Sequence, residues 1–416
     1  MTNYKNSAVQ IADQDEYRIR GNILWFVPFL LFSSVGIFCL GLGVYLNWLY
    51  LPVILLALYL NIKSKGHRVT VRPYILICSV YFMFCLFHGL INDVKPRQAL
   101  QDIYGILYFL VSYSVVLSYK FNDGYMIKNI SIIINSLIIV SCCNVFNTVF
   151  SIVQSQDQEG YRLLLFSIIG IGPGLLFCLK NNIPVKKRCV IILFLLSCFA
   201  TLMSYSKQAY ITVFIAFIIS AFLYSNNIIK TLRNLLIFGV VLLAFFLVLS
   251  ILADKMSIFN AISKVALYNF NILFSEDALL SQESYRITEI TQSVASIKEN
   301  IIFGIGFGNS YYQSGSNLDN WVHNGWLWLW LDTGIIGVIL IMIPLVRGFK
   351  KYFKTRKNVN SDQIFLLNTA VIYIVTICVN CLASPIFFRD YPSMLLLGMF
   401  TGYLNRKTHG RRKRVE

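Results

Sequence analysis

Unbroken apolar runs of about twenty residues constrain this chain more than any other feature of its sequence. An α-helix needs a run of that length to cross the ~30 Å hydrocarbon core of a bilayer. The runs do not alternate between apolar and polar residues, as the strands of a membrane barrel would. Only 13% of the residues are charged, against roughly 25% in soluble domains. The sequence therefore predicts an all-α integral membrane protein and excludes a soluble enzyme.

The apolar runs divide into about twelve predicted transmembrane helices, most of them joined by short connections. They cover residues 22–43, 45–62, 73–91, 103–119, 129–152, 163–179, 188–205, 208–224, 232–252, 322–346, 364–384 and 390–405. One connection is much longer than the rest, and long loops are usually functional. We therefore predict three parts: spans one to nine (1–252), a long periplasmic loop (253–321), and spans ten to twelve with a basic tail (322–416).

The net charge of +17 reports membrane topology. With both termini in the cytoplasm, most of the 36 Lys and Arg residues fall in inner segments, whereas most of the 19 Asp and Glu residues fall outside. This distribution satisfies the positive-inside rule. The basic tail would then face anionic lipid of the inner leaflet. Membrane lipid is thus a predicted partner, and nucleic acid is not.

The long loop contains a predicted amphipathic helix at 284–300. Its apolar residues recur at helical spacing and would place one face on the membrane or on the helix bundle, with Arg286 in the first turn; they are Ile287, Ile290, Val294, Ile297 and Ile301. A glycine-rich turn follows at 304–308 and lets the backbone reverse. Two interpretations of this turn stay open, a flexible loop and a contact between its amides and phosphate.

His323 is the candidate for chemistry at the outer end of span ten. The tryptophans around it, at 321, 326, 328 and 330, indicate the outer membrane interface. In a continuous helix, Gly334 would lie at nearly the same angle as His323. Gly334 and Gly337 would let another helix approach, so His323 is predicted to face the bundle. A neutral imidazole suits a general base near neutral pH; the alternative is an interfacial histidine bonded to water.

Five basic residues fall at span ends or in connections on the predicted outer side. They are Arg97, Arg162, Lys207, Arg286 and Arg389. Each alone also fits a solvated or snorkelling side chain, but several cations around one outer cavity suit a diphosphate. The outer regions contain no Asp and Glu cluster with metal-ligand spacing. We therefore predict neither a metal nor a cofactor.

The motif around His323 resembles that of the O-antigen ligase and O-antigen polymerase superfamily of bacterial envelope glycosyltransferases. His323-Asn324 is followed by nine residues and then by Gly334-x-x-Gly337, which is similar to the family pattern. Lys207 stands in Ser204-Tyr-Ser-Lys, where family members commonly carry arginine. The resemblance implies a GT-C-like membrane fold in the bacterial inner membrane, with the active site facing the periplasm.

The resemblance also implies an activity, a metal-independent inverting glycosyl transfer from an undecaprenyl-diphosphate-linked glycan. His323 would be the catalytic base and Arg286 would stabilise the departing diphosphate. Lys207, Arg389, Arg162 and Asn324 would bind the diphosphate or the glycan. The acceptor would be lipid A–core oligosaccharide in a ligase, which we favour, or another lipid-linked glycan in an O-antigen or capsular polysaccharide polymerase. A transporter of lipid-linked sugars is the alternative from another class, although no clear internal repeat supports it.

Overall fold

The computed structural model describes a subset of the chain. The described residues are 73–92, 94–118, 183–202, 207–224, 276–309, 312–314, 317–319, 322–383 and 391–406, with isolated positions within 123–142 and 229–251. Predicted spans one, two and six, most of spans five and nine, and both termini lie outside the described residues.

The described part of the chain contains eight helices of 15 residues or more. They are α1 Pro73–Ile91, α2 Pro96–Ser118, α3 Lys187–Leu202, α4 Lys207–Tyr224, α5 Glu276–Glu299, α6 Gly325–Thr355, α7 Ser361–Asn380 and α8 Tyr391–Asn405. A short 3₁₀ turn, Arg356–Asn358, follows α6. Between α5 and α6, strands β1 (Tyr312–Ser314) and β2 (Asn317–Asp319) form an antiparallel hairpin that the sequence analysis did not predict.

Three helical stretches among the described residues are long and apolar enough to cross a membrane. They are Pro73–Ile91, Gly325–Asn358 and Ser361–Asn380, at predicted spans three, ten and eleven. Helices also occur at predicted spans four, seven, eight and twelve, with ends that differ by up to seven residues. The predicted helical class is confirmed for the described residues apart from the hairpin, and the number of spans stays a prediction.

Helix α6 is broken at Gly334, where φ is 60° and ψ is −176°. In a regular helix the carbonyls of Leu331 and Asp332 would accept bonds from the amides four residues later. Here they accept from the amides of Ile305 and Gly306, at 2.9 and 3.0 Å. In return, the Ile335 amide donates to the Ile301 carbonyl at 2.9 Å. The chain after α5 therefore replaces the helix bonds that the break removes. We call residues 301–308 the splice turn.

A tyrosine of α1 binds a further carbonyl at this break. The Tyr81 hydroxyl donates to the Thr333 carbonyl at 2.6 Å. That carbonyl would otherwise bond within α6. Polar backbone groups inside a membrane need internal partners, because the bilayer core offers no water. The α1 side chain thus stabilises the broken helix.

Pro344 creates a second gap in α6, because it has no amide hydrogen to donate to the Leu340 carbonyl. The Tyr74 hydroxyl donates to that carbonyl instead. Tyr74 and Tyr81 stand seven residues apart, about two helical turns, and so share one face of α1. Two tyrosines on one face of α1 therefore donate hydrogen bonds to the carbonyls left without helix partners at Gly334 and Pro344.

The closest helix packing among the described residues joins α8 to α2. A Cβ at Gly398 would overlap the Ser112 hydroxyl and the Phe109 carbonyl, and one at Gly402 would come within 3.0 Å of Val116. Small residues four positions apart let helix backbones approach in membranes, where packing replaces the hydrophobic drive. This interface and the buried faces of α6 and α7 form the core of the bundle.

Candidate active site

His323 lies immediately before α6, and hydrogen bonds fix the backbone that follows it. The side chain of Asn324 caps the helix, accepting from the amides of Trp326 and Leu327 at 3.0 Å. The next amide, that of Gly325, donates to the Cys381 carbonyl beyond α7 at 2.7 Å. Trp326 donates its indole N–H to the Cys378 carbonyl at 2.9 Å. These bonds attach the start of α6 to the end of α7 and hold the His323 backbone in one position.

The predicted helical alignment of His323 with Gly334 is wrong, because α6 begins only at Gly325 and is broken at Gly334. Trp328 is fully buried, so it does not contact lipid, and the interfacial position of the tryptophans stays a prediction. A tryptophan carries a large apolar surface, and here that surface packs inside the bundle.

The predicted amphipathic helix is present as α5, but it begins earlier, at Glu276. Arg286 consequently lies in its third turn and not in its first. Ile287, Ile290 and Val294 are exposed. The buried positions are Glu289, Ser293 and Ile297, spaced by four residues. The face that packs on the protein is thus partly polar, and the exposed apolar stripe is available to lipid.

Glu289 and His323 join α5 to the start of α6. One carboxylate oxygen of Glu289 lies 2.8 Å from Nδ1 of His323, and the other accepts the backbone N–H of His323 at 2.5 Å. The Glu289 side chain is 2% exposed and that of His323 is 38% exposed. A buried carboxylate is costly unless donors satisfy it. Two donors from one residue satisfy this one and leave the imidazole partly open to the surface.

Arg286 lies three residues before Glu289 on α5, and its side chain is exposed. Residues three apart on a helix are neighbours, roughly 5–6 Å apart between Cβ atoms. Arg286 and His323 are therefore both neighbours of Glu289. The predicted base thus contacts the middle of α5, within one helical turn of the predicted diphosphate cation.

The remaining predicted binding residues have different outcomes. Lys207 is the first residue of α4, and its side chain lies outside the described part. Arg162 and Arg389 also lie outside the described residues. The side-chain oxygen of Asn324 is engaged in the helix cap, so a role in glycan binding would have to use its amide group.

The splice turn matches neither interpretation left open by the sequence. Gly304, Gly306 and Gly308 all have positive φ, as the backbone reversal predicted. The amides of residues 304–307 donate to backbone carbonyls of Asn300, Leu331, Asp332 and Cys85. Those amides are not available to phosphate, and the backbone they hold is ordered by its hydrogen bonds.

At the break in α6, neighbouring atoms leave no room for a side chain on Gly334 or Gly337. A Cβ at Gly334 would overlap the Ile302 carbonyl of the splice turn, which is a loop and not the partner helix that was predicted. A Cβ at Gly337 would overlap the Thr333 side chain of α6 itself. Gly337 also faces Phe82 of α1, with 3.5 Å between the added Cβ and the ring.

Glu289 is the site residue that sequence reasoning missed. The apolar residues that predict the helix are mostly exposed in the structure, and Glu289 is not among them. The sequence signal for Glu289 is a second helical stripe, in which Glu289, Ser293 and Ile297 follow one another at intervals of four residues. Within the described residues, no three His, Cys, Asp or Glu side chains come together at a spacing that could hold a metal ion.

The candidate site lies inside a region that matches a known protein family. Residues 192–342 match the family model described as O-antigen ligase. The matched region runs from α3 into α6 and contains Lys207, Arg286, Glu289 and His323. No curated protein matches the chain. Over those residues, the match supports the resemblance to the O-antigen ligase and O-antigen polymerase superfamily.

Proposed function

We propose that this protein is an O-antigen ligase, which transfers a glycan from undecaprenyl diphosphate to lipid A–core oligosaccharide. The transfer takes place at the periplasmic face of the bacterial inner membrane. The observation that carries the proposal is the packing of α5, the helix of Arg286, onto His323 through Glu289. The reaction needs a base and a cation, and His323 contacts a carboxylate that lies within one helical turn of Arg286.

The reaction is an inverting displacement that needs no metal. A hydroxyl of the acceptor sugar attacks the anomeric carbon of the donor from the side opposite the diphosphate. A new C–O bond forms, the bond from the anomeric carbon to the diphosphate oxygen breaks, and its electron pair leaves with the diphosphate. His323 takes the hydroxyl proton as general base. Arg286 stabilises the charge that grows on the diphosphate, and Lys207 is a second cation for it.

The break in α6 is relevant to the alternative of a transporter. Discontinuous helices in transporters expose backbone groups that bind the substrate. In this chain the carbonyls of Leu331, Asp332 and Thr333 already accept hydrogen bonds from the splice turn and Tyr81. Because these carbonyls already have partners within the protein, they are not available to bind a substrate as in a transporter. This supports an enzyme over a carrier.

The test is deletion of the gene in the source bacterium, followed by analysis of its lipopolysaccharide ladder. A ligase predicts that polymer accumulates on the lipid carrier and that the core carries none. Core capped with a single repeat unit would indicate the polymerase instead. An unchanged ladder would contradict both.

Complementation of the deletion strain assigns the base. A plasmid copy with His323→Ala should insert in the membrane at the normal level and transfer no glycan, because the acceptor hydroxyl then has no base. His88 stacks on Phe84, with 6.0 Å between ring centroids, and His88→Ala is the matched control that should restore the ladder. Glycan transfer by the His323→Ala protein would show that His323 is not the general base.

A further inference from the structure

We infer that Glu289 is a positioning residue, which holds His323 in the tautomer and orientation that a general base requires. This inference rests on the proposed function, since it concerns the same histidine. It assigns a catalytic purpose to a carboxylate that the sequence motif around His323 does not include.

The geometry sets the direction of each hydrogen bond. A carboxylate can only accept, so the contact of 2.8 Å between Glu289 and Nδ1 requires the proton to be on Nδ1. The lone pair of the neutral ring is then on Nε2. Nε2 is the atom that would take the acceptor proton, and the Nδ1 proton stays with Glu289. When the ring becomes positively charged, the adjacent carboxylate stabilises it.

The second carboxylate oxygen fixes the orientation of the pair. It accepts the backbone N–H of His323 at 2.5 Å, so Glu289 binds both the main chain and the ring of the same residue. The carboxylate cannot rotate away from Nδ1 without losing the other bond. Because the Glu289 side chain is 2% exposed, water does not compete strongly for it. The ring is consequently held by α5, while its backbone is held by α6 and α7.

Glu289→Gln is the sharpest variant, because it keeps the size of the side chain and one acceptor oxygen. The amide oxygen can still accept from the His323 N–H, but the NH₂ group then faces Nδ1. Nδ1 must become the acceptor, and the proton moves to Nε2, where it blocks the base. In triads of this kind a wrong tautomer costs up to about 10⁴-fold in kcat. We expect kcat to fall about 10²- to 10⁴-fold with KM changed less than about threefold. Glu289→Asp, which keeps a carboxylate, should recover part of the loss.

The kinetic probe is the lipid-linked glycan that accumulates in the deletion strain, added with lipid A–core from the same strain as acceptor to purified protein in nanodiscs. Glu299→Gln is the matched control, since Glu299 is the exposed last residue of α5. It should transfer glycan at the wild-type rate. A Glu289→Gln protein that folds and keeps the wild-type kcat would overturn the inference.

A second measurement needs no variant of Glu289. The chain has four histidines, and ¹⁵N-histidine NMR of the wild-type protein reports the tautomer of each, with the His323 signal assigned by its absence in His323→Ala. We expect a protonated Nδ1 and an unprotonated Nε2 in the neutral ring. The reverse tautomer would overturn the inference even if Glu289→Gln does not fold. If His323→Ala remains active while the wild-type protein shows the Nδ1–H tautomer, His323 is not the base. Glu289 would still be shown to set the tautomer of His323.

Discussion

His323 combines a partly exposed side chain with a backbone that hydrogen bonds hold in place. Asn324 caps α6, Gly325 bonds to the end of α7, and Glu289 holds the ring from α5. Catalytic groups work best when packing and hydrogen bonds lock their geometry. At the scale of single residues, the structure shows what holds the imidazole in place.

Arg286→Ala should lower glycan transfer about 10²- to 10³-fold, because the growing charge on the diphosphate loses a charge-assisted partner. Arg286→Lys keeps the charge and loses the bidentate geometry, so its transfer rate should lie between those of the wild type and Arg286→Ala. Initial rates with the accumulated lipid-linked glycan measure both. Lys298→Ala, an exposed cation in the last turn of the same helix, is the control and should have the wild-type rate. Equal effects at both positions would mean that only the total charge of α5 matters.

Lys207→Arg should retain activity, since it keeps the positive charge and adds donors for a phosphate. Lys207→Ala should lower transfer by about tenfold to a hundredfold, the equivalent of one hydrogen bond to a charged group. The same assay measures both variants, with the exposed Lys95→Ala as control. Wild-type activity of Lys207→Ala would place the diphosphate elsewhere.

At the scale of elements, α5, the splice turn and α6 behave as one unit. The splice turn connects the helix of Arg286 and Glu289 to the broken middle of α6 by three backbone bonds. It also contacts α1, where the Phe307 amide donates to the Cys85 carbonyl at 3.2 Å. The loop therefore fixes where α5 lies, and so indirectly where Glu289 meets His323.

Gly334→Ala should destabilise the protein. The backbone at Gly334 lies in a region that is essentially restricted to glycine, at a cost of about 1–3 kcal/mol for other residues, and the added Cβ would overlap the Ile302 carbonyl. Thermal unfolding in detergent should show a lower midpoint, with transfer reduced because α5 shifts. Gly124→Ala is the matched control, since nothing lies within 4 Å of an added Cβ there. An unchanged midpoint for Gly334→Ala would show that the break tolerates a side chain.

At the scale of the whole molecule, the lipid bilayer determines which surfaces are exposed. Helix α1 buries one face in the bundle and exposes large apolar side chains on the other, including Leu76, Val80 and Phe87. The splice turn lies close to that face, where the exposed Phe303 packs edge-on against Phe84 at 5.9 Å. These surfaces would be unfavourable in water and are favourable against lipid.

The charge distribution predicts that the β1–β2 hairpin lies in the periplasm and the basic tail in the cytoplasm. Alkaline phosphatase inserted between β1 and β2 should be active, whereas the same enzyme fused after residue 416 should be inactive. Green fluorescent protein at the two positions should give the opposite pattern, because it folds poorly after export. Active phosphatase at the C-terminus would reverse the topology and place His323 on the cytoplasmic side.

The sequence by itself determined the helical membrane class, the positions of the helices near spans three, four, seven, eight, ten, eleven and twelve, and the family motif at His323. These follow from hydropathy and local spacing, which one stretch of chain carries alone. It did not determine that His323 precedes its helix, that Glu289 binds it, or that the splice turn repairs α6. Those depend on backbone groups and side chains far apart in the chain, and only packing decides which of them meet.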